Sequence, residues 1–177
     1  MRPPPFIETK RLLLRPPVSE DAQLVFSAYA QDPEVTKYLI WLPHKDIQET
    51  QRFIADCISA WEHSERFPYV ITLREGRELV GMIELRLDGV TAEFGYVLSR
   101  LHWGKGLMTE ALAALVDWAV AQPDIHRLWG RCEVDNVASA RVMEKVGLQR
   151  ESVMRRQTIH PLLSSEPRES YCYSLVK

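Results

Sequence analysis

The 177-residue sequence is poor in the features that mark several large classes of protein. Its three cysteines, Cys57, Cys132 and Cys172, are odd in number and show no Cys-x-x-Cys spacing. That argues against a disulfide framework and for a reducing, cytoplasmic setting, with all three expected as buried small hydrophobes. Long hydrophobic runs are missing too. The longest, around residues 111–116, is cut by Asp117, far short of the ~20 residues a membrane span requires. The opening Met1-Arg2-Pro3-Pro4-Pro5 lacks the apolar stretch of a signal peptide. Charge of one sign is scarce: the formal net charge is −2, which gives no global attraction to nucleic acid or an anionic membrane. The five histidines do not cluster and none stands at metal-ligand spacing, so no metal is expected. Without repeats, low-complexity tracts or an internal linker, the chain reads as one domain over residues 7–177 behind a flexible arm of residues 1–6.

What the sequence does contain is a change of period. A short strand over residues 11–15 ends at Pro16-Pro17. Ser19, with Glu20 and Asp21 behind it and apolar Leu24, Val25, Ala28 and Tyr29 beyond, reads as the N-cap of an amphipathic helix. Asp32-Pro33 opens a second helix through Lys37. A third, from Asp46 to His63, carries the stripe Ile47, Phe53, Ile54, Cys57, Ile58 and Trp61. Residues 67–73, 79–87 and 91–98 then read as strands of an antiparallel meander, joined at Arg74-Glu75-Gly76-Arg77 and Asp88-Gly89. A helix over 107–120, a strand over 128–134, a helix over 137–146 stopped by Gly147, and strands over 153–159 and 170–176 complete the chain. The class is α+β, with helices packed on a mostly antiparallel sheet.

The stretch Gly95-Tyr96-Val97-Leu98-Ser99-Arg100-Leu101-His102-Trp103-Gly104-Lys105-Gly106-Leu107-Met108-Thr109-Glu110-Ala111 carries the chemistry. A strand runs into a glycine turn and the turn into a helix. Gly104 and Gly106 let the backbone approach a ligand closely, and the free N–H groups of the helix's first turn point into the same space. Together they make a site for a phosphate or pyrophosphate, with local positive character from Arg100, His102 and Lys105. A P-loop is excluded, because one residue separates the glycines and Gly106 follows the lysine. A Rossmann turn is excluded as well: Thr109 stands at the third glycine's place and the preceding strands are antiparallel. On the glycines alone, a tight turn before a helix remains an equal reading.

The surroundings favour the ligand site. The stretch resembles motif A of the Gcn5-related N-acetyltransferases, Gln/Arg-x-x-Gly-x-Gly/Ala at a helix start, with Leu101 in place of the usual Gln or Arg. Ala92-Glu93-Phe94-Gly95-Tyr96, Trp103-Gly104-Lys105-Gly106 and Asn136-x-x-Ser139-x-Arg141-Val142-Met143-Glu144-Lys145-Val146-Gly147-Leu148 are similar to the branch that acetylates ribosomal-protein N-termini. Glu8-Thr9-Lys10-Arg11-Leu12-Leu13-Leu14-Arg15 matches that branch's first strand, and the likeness covers roughly residues 7–176 in order. It implies a single GNAT-like domain whose mostly antiparallel sheet, of about seven strands, is flanked by helices and splayed between two central strands. It implies acetyl-CoA in that splay, as co-substrate, and a primary amine as acceptor, on a peptide N-terminus or a small molecule. The protomer is expected as a monomer or homodimer. A CoA-binding module without catalysis, and an acyltransferase using a longer acyl-CoA, stand as alternatives.

By the same resemblance, the backbone of Trp103, Gly104, Lys105, Gly106, Leu107 and Met108 meets the pyrophosphate. Leu98 lies on the strand beside the pantetheine arm, and an N–H of that strand polarises the thioester carbonyl. Asn136 hydrogen-bonds the arm, caps its helix, or does both. Glu93 is the candidate base, with Glu84 in reserve. It alternates with Gly95 and Val97, opposite Phe94, Tyr96 and Leu98, and a partly desolvated carboxylate is the stronger base. An ion-paired strand glutamate is the competing reading. Met143 stands where many members carry a proton-donating tyrosine, so Ser139, one turn after Asn136, is the candidate donor to the departing thiolate, or else a small residue against the sheet. Arg141 and Lys145 either meet a 3′-phosphate or form a solvated face. Tyr38, Trp41, Pro43 and His44 fall where the family builds one wall of the acceptor site, or they pack in the core.

Overall fold

The computed structural model describes residues 1–64 and 66–177. Among them, eight strands form one sheet: β1 (Ile7–Glu8), β2 (Leu12–Arg15), β3 (Phe67–Leu73), β4 (Leu79–Asp88), β5 (Thr91–Leu98), β6 (Arg127–Glu133), β7 (Gln149–Thr158) and β8 (Arg168–Val176), in the order β1-β2-β3-β4-β5-β6-β8-β7. The helices are α1 (Asp21–Val25), α2 (Pro33–Thr36), α3 (Ile47–His63), α4 (Leu107–Ala121) and α5 (Val137–Lys145). Alternation sorts the sheet's side chains between two cores. Tyr69, Ile71, Leu85 and Phe94 pack with Leu112 and Leu115 of α4 and Met143 of α5. Val70 and Met82 pack with Val25 of α1, Val35 of α2, and Ile54 and Cys57 of α3. All three cysteines are free and buried.

β5 and β6 are parallel; every other neighbouring pair is antiparallel. Their ladder holds at Thr91–Arg127, Ala92–Leu128 and Glu93–Trp129 and goes no farther, although β5 continues to Leu98 and β6 to Glu133. The strands part where Phe94 comes level with Gly130. A Cβ on Gly130 would stand 2.5 Å from the Phe94 ring, so the missing side chain makes room for that ring at the mouth of the gap. Beyond it, the backbone groups of both strands that would have completed the ladder face open space.

Several boundaries differ from the sequence expectation. The sheet has an eighth strand because Ile7 and Glu8 pair with Leu14 and Leu13. β7 begins at Gln149 rather than Val153. It is an edge strand exposed on both faces, so no apolar alternation marks its start. The N-cap position of the first helix is Glu20, not Ser19, with no side-chain cap bond, and the helix passes at Phe26 into a π-helical turn through Ala30. The buried Asp21 carboxylate accepts from Arg15, at 2.7 and 2.6 Å, and from the Val18 N–H at 2.8 Å. Within the opening segment, Arg2 donates to the Trp61 carbonyl at 2.8 Å and the Pro4 carbonyl accepts from the Tyr69 hydroxyl at 2.7 Å. No helix among the described residues is long and apolar enough to cross a membrane.

Candidate active site

A cavity of about 600 Å³ runs through the gap between β5 and β6 and opens on both faces of the sheet. On the α4–α5 face its wall is the glycine turn. Gly104 and Gly106 take φ of +74° and +72°, the left-handed region where a side chain is strained, and Gly106 is the N-cap of α4. The N-termini of α2, α3 and α5 are closed by Asp32, Asp46 and Asn136, whose side chains accept backbone N–H bonds at 3.0, 3.0 and 3.2 Å. α4 has no such cap. Its first-turn N–H groups and the positive end of its dipole therefore face the cavity, an arrangement suited to an anion. Trp103 ties the turn to the strand through Nε1, which donates to the Leu98 carbonyl at 2.8 Å. Leu98, Trp103, Gly104, Gly106, Leu107 and Met108 line the cavity; Lys105 does not, and its carbonyl accepts from Arg11.

The basic side chains near the turn have separate tasks. Arg100 pairs with Asp32 at 2.9 Å, and buried His102 bonds the Ser99 hydroxyl at 2.7 Å, so neither is free for a phosphate. Arg11, far off in sequence, braces the turn from behind. It donates to the Lys105 carbonyl at 2.9 Å and to Glu110 at 2.6 Å, while its backbone N–H and the Thr9 hydroxyl also donate to Glu110, at 2.8 and 2.6 Å. Burial alone would push Glu110 upward. The bonds from Thr9 and Arg11 and the guanidinium charge outweigh it and hold the carboxyl below its ordinary value.

Asn136 and Ser139 both line the cavity from α5. Asn136 caps the helix by accepting the Ser139 N–H. The Ser139 hydroxyl lies 2.8 Å from the Tyr96 hydroxyl, which also donates to the Ser139 carbonyl at 3.1 Å. Burial raises the Tyr96 phenol well above its usual range, and Ser139 opposes this in part, so the pair stays protonated at neutral pH. Burial likewise pushes the neighbouring Cys132 thiol up to about 12. Tyr96 was not singled out in the sequence, though the alternation of Phe94, Tyr96 and Leu98 is enough to aim it at this face. Met143, in the place of the family's tyrosine, is buried in the core. Arg141 and Lys145 stand at the α5 rim of the cavity.

On the opposite face Glu93 lines the cavity with its carboxylate 3.8 Å from Arg86 and 3.7 Å from Arg131. Glu84 does not line it and is engaged by Arg66 and Arg86. Across the gap, buried Glu133 is held by Arg168 at 2.6 Å, with Thr158, His160 and Ser170 beside it on the wall. Tyr38 and Trp41 close this side. Pro43 and His44 lie outside it, His44 being bonded to Thr50 at 2.7 Å. Arg131, Thr158, His160 and Ser170 come from scattered places with no motif spacing to announce them. Among the described residues no group of three or more His, Cys, Asp or Glu is placed to hold a metal ion.

Known proteins share this architecture. The sequence model of the acetyltransferase (GNAT) domain matches residues 11–149. The uncharacterized N-acetyltransferase p20 of Bacillus licheniformis is 32% identical over 152 residues, covering 83% of this chain and 84% of that one. The crystal structure of a GNAT-family acetyltransferase from Bacillus anthracis aligns with a TM-score of 0.84 at 27% identity, over 97% of this chain and 98% of that one. The microcin C7 self-immunity acetyltransferase MccE, solved in complex with acetyl-CoA and AMP, aligns with a TM-score of 0.88 at 22% identity, over 99% and 98% of the two chains.

Proposed function

The chain belongs to the GNAT acetyltransferase family and is an acyltransferase, and from that premise we propose that it transfers acetyl from acetyl-CoA directly to a primary amine, on a peptide N-terminus or a small molecule. The carrying observation is the cavity that passes through the β5–β6 gap, with an uncapped helix N-terminus on one face and Glu93 on the other. In this reading the pyrophosphate rests on the backbone of residues 103–108. The pantetheine arm lies beside β5 near Leu98, bonded by Asn136, whose Oδ1 is already used as a cap. A β5 N–H facing the gap polarises the thioester carbonyl. The Ser139–Tyr96 hydroxyl pair stands where the thiolate departs and supplies its proton. Glu93 meets the acceptor's ammonium, and either it or a group beside it on this face takes the proton. Arg86 and Arg131 beside it disfavour a third cation, which helps the amine lose its proton. The buried free cysteines fit a reducing, cytoplasmic setting.

The acceptor follows from the modesty of that base. An α-amino group has a pKa of about 7.7–8.0 against about 10.4 for lysine, so much of it is neutral without help. A peptide starting with Ala or Ser is expected to release free thiol from acetyl-CoA faster than its N-terminally blocked, lysine-containing counterpart. Faster reaction of the blocked peptide overturns the acceptor class, and no thiol release with any amine or peptide overturns the activity.

A further inference from the structure

We propose that His160 is the residue that takes the proton from the acceptor amine. The inference rests on the acetyl-transfer reading above and adds a catalytic group that no motif marks. His160 follows the end of β7 and is 4% exposed, yet neither ring nitrogen has a hydrogen-bond partner among the described residues. Its backbone is fixed: its carbonyl accepts the Leu163 and Ser164 N–H groups at 2.8 and 3.0 Å, and Pro161 follows. His160 is among the residues lining the cavity on the face that carries Glu93, with both ring nitrogens beneath the cavity surface. A buried imidazole has one donor and one acceptor to satisfy, and leaving both idle is unfavourable unless something that enters the cavity uses them.

The other bases lining the cavity are claimed or exposed. Glu93 is shared by Arg86 and Arg131, Glu133 is locked by Arg168, His102 is bonded to Ser99, and Glu34 sits exposed at the rim. His160 is the buried base with open valences, and imidazole is the side chain best suited to carry a proton near neutrality. The step balances without a further reactant. The ammonium first gives one proton to a ring nitrogen of His160, which passes it to solvent. The freed lone pair of the amine nitrogen forms the N–C bond to the thioester carbonyl carbon, and the C–S bond breaks. The surplus proton still on that nitrogen leaves by the same imidazole, and the departing sulfur takes one from the Ser139–Tyr96 pair, which solvent restores. The sum is ammonium plus acetyl-CoA giving amide, free CoA and one proton.

The test uses the best acceptor from the thiol-release screen. His160→Gln keeps a donor and an acceptor but cannot carry the proton, so kcat is expected to fall about a hundredfold while acetyl-CoA affinity by calorimetry stays within about twofold. Free imidazole is expected to restore part of the rate in His160→Ala, which a purely structural role would not allow. In the wild-type protein, acceptor analogue is expected to shift the ring ¹⁵N signals of His160 where acetyl-CoA alone does not, a readout that needs no variant to fold. A folded His160→Gln protein with wild-type kcat, or a His160 ring blind to the acceptor, overturns the assignment and leaves the acetyl-transfer reading intact. A wild-type protein that acetylates nothing overturns both.

Discussion

The two halves of the cavity are made of different material. The α4 half is backbone: residues 103–108, two glycines in left-handed conformation and a helix N-terminus without a side-chain cap. The half proposed to take the acceptor is side chains: Tyr38 and Trp41 before α3, Glu93 on β5, Arg131 and Glu133 on β6, Thr158 at the end of β7 and His160 just past it. A backbone site is indifferent to which side chains surround it but cannot accept a Cβ that blocks the approach. A side-chain site is the reverse. The first half can therefore serve one constant ligand, while the second can be rebuilt for a new amine without disturbing the fold.

The largest effect expected from this contrast is at the turn. Gly104→Glu places a strained, anionic side chain where the phosphate is to rest, and acetyl-CoA affinity should fall by about a hundredfold or more. Lys105→Ala, one residue away, should change it by no more than about threefold, since the ligand meets the turn's N–H groups rather than the lysine. Calorimetry on both variants, with circular dichroism to confirm folding, decides the matter. A Lys105→Ala loss as large as the Gly104→Glu loss would mean that the turn is a side-chain site after all.

The same contrast explains what could be read in advance. The α4 half lies in one stretch, residues 95–111, where strand, glycine turn and helix follow one another, so its geometry is encoded by local order. The splay was expected through family resemblance, but the packing at its mouth, the Phe94 ring over Gly130, joins two strands distant in sequence. The Arg11–Glu110 brace and the Tyr96–Ser139 pair are equally non-local. The opposite half is assembled from single residues at unrelated positions, and there sequence reasoning had the types but not the company they keep. Glu93 lines the cavity from the face opposite Tyr96, as the strand alternation led one to expect; its two arginine neighbours could not be read from the sequence.

An intermediate effect belongs to the seam between the halves. Ser139→Ala removes a hydrogen bond to a developing thiolate, worth about 1.5–3 kcal/mol, or roughly tenfold to a hundredfold in kcat. The dissociation constant of acetyl-CoA should hold within a few-fold. Tyr96→Phe should fall in the same direction, because the phenol bonds both the hydroxyl and the carbonyl of Ser139. Wild-type turnover in Ser139→Ala would assign thiolate protonation to water and detach the seam from the chemistry.

The smallest effect tests whether the backbone half relies on its brace. Glu110 touches neither ligand path directly; it receives Thr9 and Arg11, and Arg11 in turn holds the Lys105 carbonyl. Glu110→Gln keeps an acceptor but loses the charge, which should cost on the order of 1 kcal/mol of stability for so exposed an ion pair. Acetyl-CoA affinity should weaken about threefold through a looser turn, with kcat unchanged. The pH dependence has a definite sign. The folded protein holds Glu110 below the ordinary glutamate value of 4.5, so the unfolded chain binds the proton more readily. The stability contributed by the brace is therefore complete above about pH 5 and is lost as pH falls through the lower, folded-state value. Urea melts of wild type and Glu110→Gln should differ by a constant amount above that point and converge below it. Parallel curves that never converge would show that the cost of the substitution is packing rather than charge, and that the turn holds its shape without Arg11.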